Sequence, residues 1–284
     1  MADIVPLWLV TTLSFATVFS VMTSIGTTIT PSAVLGHLRA PALLIRGLVS
    51  VLVVVPVIGF IAGFAFGLGR AEQVGVALMA IAPGAPLALR RALRSGGDVG
   101  FAPTLQIAVA ILAVPALPLW VMIGNWILGT NGFVEVAAVT KQVFLAQLLP
   151  LGLGAITKRV APTSGERIGN ALARAGAVLL IVMIVAEVID LRAVILAARP
   201  WPMAAAAATT LAALAAGHLL GGPLPETRHA VAIAGALRNV GLALLVATAN
   251  HAVPAVQVAI ISYMLVAAVM VTAYILLRGK RGRV

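Results

Sequence analysis

The sequence predicts an all-α integral membrane protein, and three observations support that fold class. Hydrophobic residues make up 62% of the 284-residue chain and charged residues only 10%, which is more apolar surface than a water-soluble domain can bury. The apolar residues fall into nine long runs, each close to the roughly 20 residues that a helix needs to cross a bilayer. Two of these runs are interrupted near their centres, where a lipid-facing helix would be uniformly apolar.

The composition also narrows the chemistry that the chain can perform. Cysteine is absent, which excludes disulfides and thiolate ligands, and the four histidines stand apart from any carboxylate at ligand spacing. No nucleophile and base converge on a site, so we predict no enzyme, no cofactor and no metal centre. The formal charge of +11 comes from residues between the apolar runs, without the aromatic-interleaved basic stripe of nucleic-acid binders. The partner that composition implies is the lipid bilayer.

The apolar runs define nine predicted transmembrane helices. In order, they cover residues 5–28, 41–67, 73–95, 100–128, 138–157, 171–192, 202–221, 228–249 and 254–277. Fourteen Lys and Arg residues lie in segments on the same side as the C-terminus, and four lie in segments on the other side. Because Lys and Arg concentrate in cytoplasmic segments, we expect the N-terminus outside the cell membrane and the C-terminus in the cytoplasm.

The third and eighth spans are each interrupted near the middle of the membrane. The third contains Pro83-Gly84-Ala85-Pro86, and two prolines within four residues remove backbone donors and break a helix. The eighth contains Arg238-Asn239-Val240-Gly241, and a charge at mid-membrane costs about 2.5 to 3.5 kcal/mol unless it faces a cavity or a partner. We therefore expect both breaks to line a cavity or to be buried in protein.

The two breaks occupy equivalent places in the two halves of the chain. A shift of about 155 residues places the first repeat, 5–128, on the second repeat, 171–277, and leaves the span 138–157 unpaired. An odd number of crossings separates the two copies, so each is inverted relative to the other. Inverted repeats with interrupted helices at the midplane are typical of secondary transporters.

Four short motifs occur in a fixed order along almost the whole chain. They are the stretch from Met22 to Pro31-Ser32, Pro83-Gly84, the stretch from Gly217 to Gly221, and Leu237-Arg238-Asn239-Val240-Gly241-Leu242-Ala243. In these motifs the chain resembles the bile acid:sodium symporter family, in a nine-span form that lacks the family's extra first helix. The resemblance implies panel and core domains, two broken helices crossing in the core, and sodium-driven transport of organic anions. Auxin-carrier-like and arsenite-efflux transporters share the broad architecture and remain alternatives.

The family's sodium ligands are mostly replaced in this chain. The positions that resemble them are Ala88, Leu89, Ala102, Gln106, Ala234 and Arg238. A hard cation needs several oxygen ligands, and of these six side chains only Gln106 offers one. A fixed positive charge at Arg238 also repels a nearby cation. We therefore expect no metal site from these side chains, which makes sodium a doubtful coupling ion.

Three roles remain open for Arg238. Its guanidinium can replace the lost sodium at the carbonyl ends of the half-helices, bind a substrate carboxylate, phosphate or sulfonate directly, or hold the broken helices together without touching substrate. The first two roles predict an anionic or carbonyl-bearing substrate, because no acidic residue lies near either break. Arg90, about one turn after Pro86, is either part of the inner mouth of the site or an interfacial anchor. The predicted substrate-binding residues are Arg238, Asn239, Pro83, Gly84, Ala85, Pro86, Gln106 and Arg90.

These features together predict a secondary transporter that moves a small organic anion by alternating access without sodium. A sodium-coupled organic anion symporter is the alternative within the transporter class. Outside that class, the alternative is a membrane sensor that binds a ligand without moving it.

Two acidic residues lie near the outer end of the sixth span. Glu187 and Asp190 are three residues apart, just before Arg192, and residues at this spacing share one face of a helix. This pattern predicts a satisfied interfacial charge pair rather than a proton relay.

Overall fold

A computed structural model describes residues 5–29, 41–84, 86–129 and 134–281. The described residues form twelve helices, numbered α1 to α12 in chain order. Their bounds are α1 Leu7–Gly26, α2 Pro41–Ala65, α3 Arg70–Ile81, α4 Pro86–Arg94, α5 Phe101–Leu128, α6 Val136–Val160, α7 Pro162–Asp190, α8 Arg192–Leu196, α9 Trp201–Leu220, α10 Pro225–Ala236, α11 Val240–Ala249 and α12 Pro254–Arg281. Short π-helical segments occur within α2 at Ser50–Val54 and within α6 at Phe144–Leu148.

Eight elements of the described chain are long and apolar enough to cross a membrane. Seven are the single helices α1, α2, α5, α6, α7, α9 and α12, and the eighth is the broken pair α10 and α11. The predicted third span, 73–95, is divided into α3 and α4, which have 12 and 9 residues and are each shorter than a full crossing. The multi-pass helical architecture is therefore confirmed, and the ninth crossing and the inverted repeat stay predictions.

The largest difference between predicted and observed boundaries is at α7. The apolar pattern predicts a span over 171–192, but the helix begins at Pro162, nine residues earlier. Proline in the first turn of a helix costs no hydrogen bond, and most residues in the following two turns are exposed. The helix therefore extends past the apolar segment, because a hydropathy pattern detects only the part of a helix that lies in hydrocarbon.

Both predicted helix breaks are present. α3 ends at Ile81, and α4 begins at Pro86, whose missing N–H suits the first turn of a helix. Between them, Gly84 has a φ of 78°, in the left-handed region that favours glycine. In the second broken pair, α10 ends at Ala236 and α11 begins at Val240, with Leu237 in an extended conformation.

The helices form two packed groups. α1, α6 and α7 pack against one another, and α2, α3, α5, α9, α10 and α12 form the second group, with α4 packed on α10 and α5. α11 contacts α1 of the first group as well as α3 and α12 of the second, and α5 contacts α6. Within the first group, small residues let backbones approach closely, since a Cβ on Gly26 would lie 2.8 Å from the Cα of Gly154. The assignment of these groups to panel and core domains stays a prediction.

The expected charge pair at the end of α7 is wrong. Both carboxylate oxygens of Glu187 are buried without a hydrogen-bond partner. The Arg192 guanidinium instead donates to the carbonyl oxygen of Ile189 at 3.1 Å, and the N–H of Val5 donates to Asp190 at 3.0 Å. The physical reason is that α7 ends at Asp190 and Arg192 already belongs to α8, so its side chain reaches the nearest free helix carbonyl.

Candidate functional site

The two helix breaks meet inside the protein. The backbone N–H of Asn239 donates to the carbonyl oxygen of Ala82 at 3.0 Å, which joins the α10–α11 break to the α3–α4 break. Both residues are buried. A backbone bond between two breaks satisfies groups that neither helix can satisfy internally. The irregular backbone is thus buried in protein, as membrane depth requires.

Arg238 lies at this meeting point and is almost completely buried, with 4% of its surface exposed. Its Nε donates to the carbonyl oxygen of Met79 at 3.3 Å, its Nη1 to that of Val51 at 3.1 Å, and its Nη2 to that of Ala80. Met79 and Ala80 belong to the last turn of α3, where helix carbonyls lose their usual partners four residues on and carry a partial negative charge. Three of the five guanidinium N–H groups therefore bind main-chain oxygen.

The third carbonyl is supplied by the π-helical segment of α2. A π segment shifts the helix ladder by one residue, and such segments are frequent at functional sites. Two consecutive carbonyls of this segment bind side chains from other helices: Val51 accepts from Arg238, and Leu52 accepts from the indole Nε1 of Trp120 at 2.8 Å. The segment thus connects α2 to the second break and to α5.

Asn239 is the residue directly before α11. Its Oδ1 accepts from the backbone N–H of Leu242 at 3.1 Å, which makes it the N-cap of the helix. Its Nδ2 is buried and has no hydrogen-bond partner. An asparagine amide has two donors on that nitrogen, so the cap leaves both available for another molecule.

A cavity of about 420 Å³ lies beside this N-terminus, between the two helix groups. It is lined by α1, α4, the C-terminal end of α6, the part of α7 from Glu166 to Leu180, and residues 238–241. At one end Lys158 and Glu166 form an ion pair of 2.7 Å, and 70% of the Glu166 side chain is exposed. This end therefore meets solvent, and the predicted topology places it on the cytoplasmic side.

Two buried polar atoms without a partner belong to residues that line the cavity. They are the hydroxyl oxygen of Thr17 on α1 and the Nδ2 of Asn239. Much of the remaining lining is apolar and includes Val18, Val21, Ile25, Leu89, Leu93 and Leu180. A mainly apolar cavity with a few polar groups is the usual form of a small-molecule site.

The predicted site residues divide between the cavity and the break behind it. Arg238 and Asn239 line the cavity, whereas Pro83, Gly84 and Gln106 do not. The Nε2 of Gln106 is buried without a partner, and a Cβ on Gly84 would lie 3.4 Å from it. Ala85 lies outside the described residues, as do the side chains of Pro86 and Arg90. The role of all these residues in binding substrate stays a prediction.

The positions that resemble the family's sodium ligands are in apolar surroundings. Ala88 and Ala102 are buried in one hydrophobic cluster, Ala234 is partly buried against it, and Leu89 lines the cavity. That these positions do not bind sodium stays a prediction.

The sequence did not predict the contribution of α7 to the cavity. Gly169, Ala173 and Gly176 face α1 at helical spacing, and all three line the cavity. The signal that was available is this stripe of small residues, which favours close helix packing. Spacing alone does not say which helix the stripe faces or that a cavity lies beside it.

A family model confirms the resemblance seen in the motifs. The model of the Sodium Bile acid symporter family matches residues 15–199, about two thirds of the chain. The matched region includes the first break and ends before α9, so the second break lies outside it. No curated protein matches the chain by sequence.

Members of this family are secondary transporters and not enzymes. The match agrees with the eight apolar helices, the broken helices and the cavity between two helix groups. The chain is therefore a multi-pass membrane protein of the bile acid symporter type, and it belongs to the Sodium Bile acid symporter family.

Proposed function

We propose that this protein is a secondary transporter that moves a small organic anion by alternating access and does not need sodium. The observation that carries the proposal is the Arg238 guanidinium, which binds three main-chain carbonyls where the two broken helices meet. Those carbonyls would otherwise attract a cation, because the C-terminal end of a helix carries a partial negative charge.

A sodium ion at the same place is opposed by this arrangement. Sodium needs several oxygen ligands at once, and the carbonyls of Val51, Met79 and Ala80 already accept from Arg238. Two unit positive charges at 4 Å repel each other by about 4 kcal/mol at an effective dielectric constant of about 20. The positive charge of the guanidinium therefore takes the place of a sodium ion beside these carbonyls. A second cation at the same place is unfavourable.

An anionic substrate is favoured by the charges around the cavity. The N-terminus of α11 carries a partial positive charge, Arg238 lies directly before it, and the Nδ2 of Asn239 is an unused donor. Glu166, the acidic residue that lines the cavity among the described residues, is paired with Lys158. The apolar walls suit the carbon skeleton of an organic anion better than a small inorganic ion.

Alternating access is supported by the place of the cavity between the two helix groups. In transporters with broken helices, one bundle moves against the other around a site near the midplane. The present arrangement has the cavity at the Lys158–Glu166 end, which corresponds to a cytoplasm-facing state in the predicted topology.

The test is the thermal stability of the detergent-purified protein with carboxylates, sulfonates and organic phosphates of graded apolar size. Each anion is measured in sodium chloride and in choline chloride. We expect one class of anion to raise the unfolding temperature equally in both salts. Stabilisation that needs sodium would instead support a sodium-coupled symporter.

The matched variant for this test is Asn239→Asp. The carboxylate can still cap α11 by accepting from the N–H of Leu242, but it replaces the free donor by a negative charge. We expect the variant to fold and to lose at least about tenfold in anion affinity, or about 1.4 kcal/mol. Uptake of the stabilising anion into proteoliposomes then separates a transporter from a sensor, because a sensor binds the anion without moving it.

A further inference from the structure

Pro56 follows the π-helical segment of α2 by two residues and is buried. The backbone N–H of Val55 donates to the carbonyl oxygen of Ser50, five residues earlier, and in the same register the next N–H would donate to Val51. Proline has no N–H, so neither Val55 nor Pro56 supplies a donor to the Val51 carbonyl. In an ordinary α-helical register residue 56 would serve Leu52, four residues earlier, and that bond is missing for the same reason.

The two carbonyls that Pro56 leaves without its N–H are the two that bind side chains from other helices. Val51 accepts from the Nη1 of Arg238 at 3.1 Å, and Leu52 accepts from the Nε1 of Trp120 at 2.8 Å. A carbonyl without a partner is costly at membrane depth, where no water replaces the missing bond. One missing N–H in α2 thus provides acceptors for one side chain beside the second break and one on α5.

The bond to Val51 completes the contacts of the Arg238 guanidinium. Each of its three nitrogens donates to one carbonyl, those of Met79 and Ala80 on α3 and that of Val51 on α2. Because the guanidinium is planar and rigid, acceptors from two different helices fix its plane as well as its position. Arg238 and Asn239 both line the cavity. The Val51 carbonyl therefore helps to determine where the positive charge lies relative to the N-terminus of α11.

We propose that Pro56 is a positioning residue for the anion site. By withholding an N–H from α2, it keeps the Val51 carbonyl available to Arg238, and this contact holds the guanidinium at the second break. Pro56 does not line the cavity and acts only through Arg238. The expected effect on anion affinity rests on the proposed function, whereas the dependence of Arg238 on Pro56 can be tested without any ligand.

α6 offers a matched control for this proposal. Its π segment is also followed after two residues by a buried proline, Pro150, and the N–H of Leu149 donates to the carbonyl of Phe144, again five residues earlier. In the part of the chain that the structure describes, no side chain donates to the carbonyls of Leu145 and Ala146, which correspond to the two α2 carbonyls. Pro150→Ala therefore makes the same chemical change without affecting a bound guanidinium.

The first measurement is the anion affinity of Pro56→Ala, read from the shift in unfolding temperature of the detergent-purified protein in choline chloride. The probes are hexanoate and hexanesulfonate, whose head groups pair with a guanidinium. The alanine supplies the missing N–H, which competes with Arg238 for the Val51 carbonyl. We expect the dissociation constant to rise by about threefold or more, which corresponds to the loss of one average hydrogen bond between membrane helices. Pro150→Ala should change it by less than about twofold.

The second measurement is the unfolding temperature, without any anion probe, of Pro56→Ala, Arg238→Met and the double variant. Methionine has no donor, so in the double variant the alanine N–H takes the place of the lost guanidinium at the Val51 carbonyl. We expect Pro56→Ala to be more favourable by at least about 2 °C in the Arg238→Met protein than in the parent. Loss of proline packing alone would change both proteins equally. Pro150→Ala should have the same effect in both, within about 1 °C.

The positioning role is overturned if the parent binds a probe and Pro56→Ala binds it equally well, or if Pro150→Ala weakens binding by the same factor. It is also overturned if Pro56→Ala is coupled to Trp120→Phe and not to Arg238→Met, because the proline then serves only the Leu52 contact. If the Arg238→Met proteins do not fold, the affinities of the two proline variants decide the question. If the parent binds no anion, the proposed transport of anions fails, and the unfolding temperatures still show whether Pro56 acts through Arg238.

Discussion

Replacement of Arg238 by glutamine tests the central contact of the structure. The substitution removes hydrogen bonds to three buried carbonyls, those of Val51, Met79 and Ala80. Hydrogen bonds between membrane helices contribute about 0.6 kcal/mol on average and up to about 1.7. Loss of three predicts a destabilisation of about 2 to 5 kcal/mol, or an unfolding temperature lower by about 4 to 10 °C.

The stability of the Arg238→Gln protein should also depend on the cation in the buffer. Without the guanidinium, three carbonyl oxygens and the new amide oxygen face one another and can ligate sodium. At a sodium concentration about ten times its dissociation constant, binding returns about 1.4 kcal/mol. We therefore expect Arg238→Gln to be more stable in sodium chloride than in choline chloride, whereas the parent protein has the same stability in both.

The assay is thermal unfolding of the purified proteins in the two salts, with Arg228→Gln as the control. Arg228 is exposed and its Nε donates to one carbonyl, that of Gly222, at 2.6 Å. Its replacement should lower the unfolding temperature by less than about 2 °C in either salt. An Arg238→Gln protein as stable as the parent in choline would refute the stabilising role of the three bonds. A parent protein stabilised by sodium would refute the replacement of a cation by Arg238.

Three further predictions concern packing, the cavity and the π segment. Gly154→Ala should destabilise the protein by about 1 to 3 kcal/mol in thermal unfolding, because the new methyl group overlaps the backbone of α1 at Thr23 and Gly26. The control is Gly152→Ala, which should be neutral or stabilising in the same assay, because no atom lies within 4 Å of the new methyl group. Thr17→Val should leave the unfolding temperature unchanged or higher, since the hydroxyl has no partner. Titration with the stabilising anion should show weaker binding. An unaltered affinity would show that Thr17 does not belong to the site. Trp120→Phe keeps an aromatic ring against Phe60 but loses the hydrogen bond to the Leu52 carbonyl. We expect thermal unfolding to show a loss of stability of about 0.5 to 1.5 kcal/mol. A larger loss would indicate that the π segment itself rearranges.

The family match and the second break lie in different parts of the chain. The matched region, 15–199, contains the first break, and it also contains most of α1 together with α4, α6 and α7, which form most of the cavity wall. Arg238 and Asn239 lie beyond it. The function of the second break is therefore supported by contacts in the structure and by the motif around Arg238, rather than by the family match.

The sequence by itself determined the class of the protein and the place of its breaks. A membrane-spanning helix requires a long apolar run, and a helix breaks where consecutive residues cannot keep its hydrogen bonds, so both features depend on neighbouring residues only. The sequence also marked Arg238 as a charge that needs a partner. The count of nine spans, the inverted repeat and the division into panel and core stay predictions, because they depend on how separate helices are arranged.

Only the tertiary structure decided what those residues contact. The Val51 carbonyl that receives Arg238 lies 187 residues away in the chain and is offered by a π segment that no sequence pattern indicated. The same holds for the stripe of α7 beside the cavity and for Glu187, for which the sequence predicts a charge pair and whose carboxylate the structure buries without a hydrogen-bond partner. The rotation of each helix about its axis is set by packing against distant helices, and that rotation determines which side chains meet.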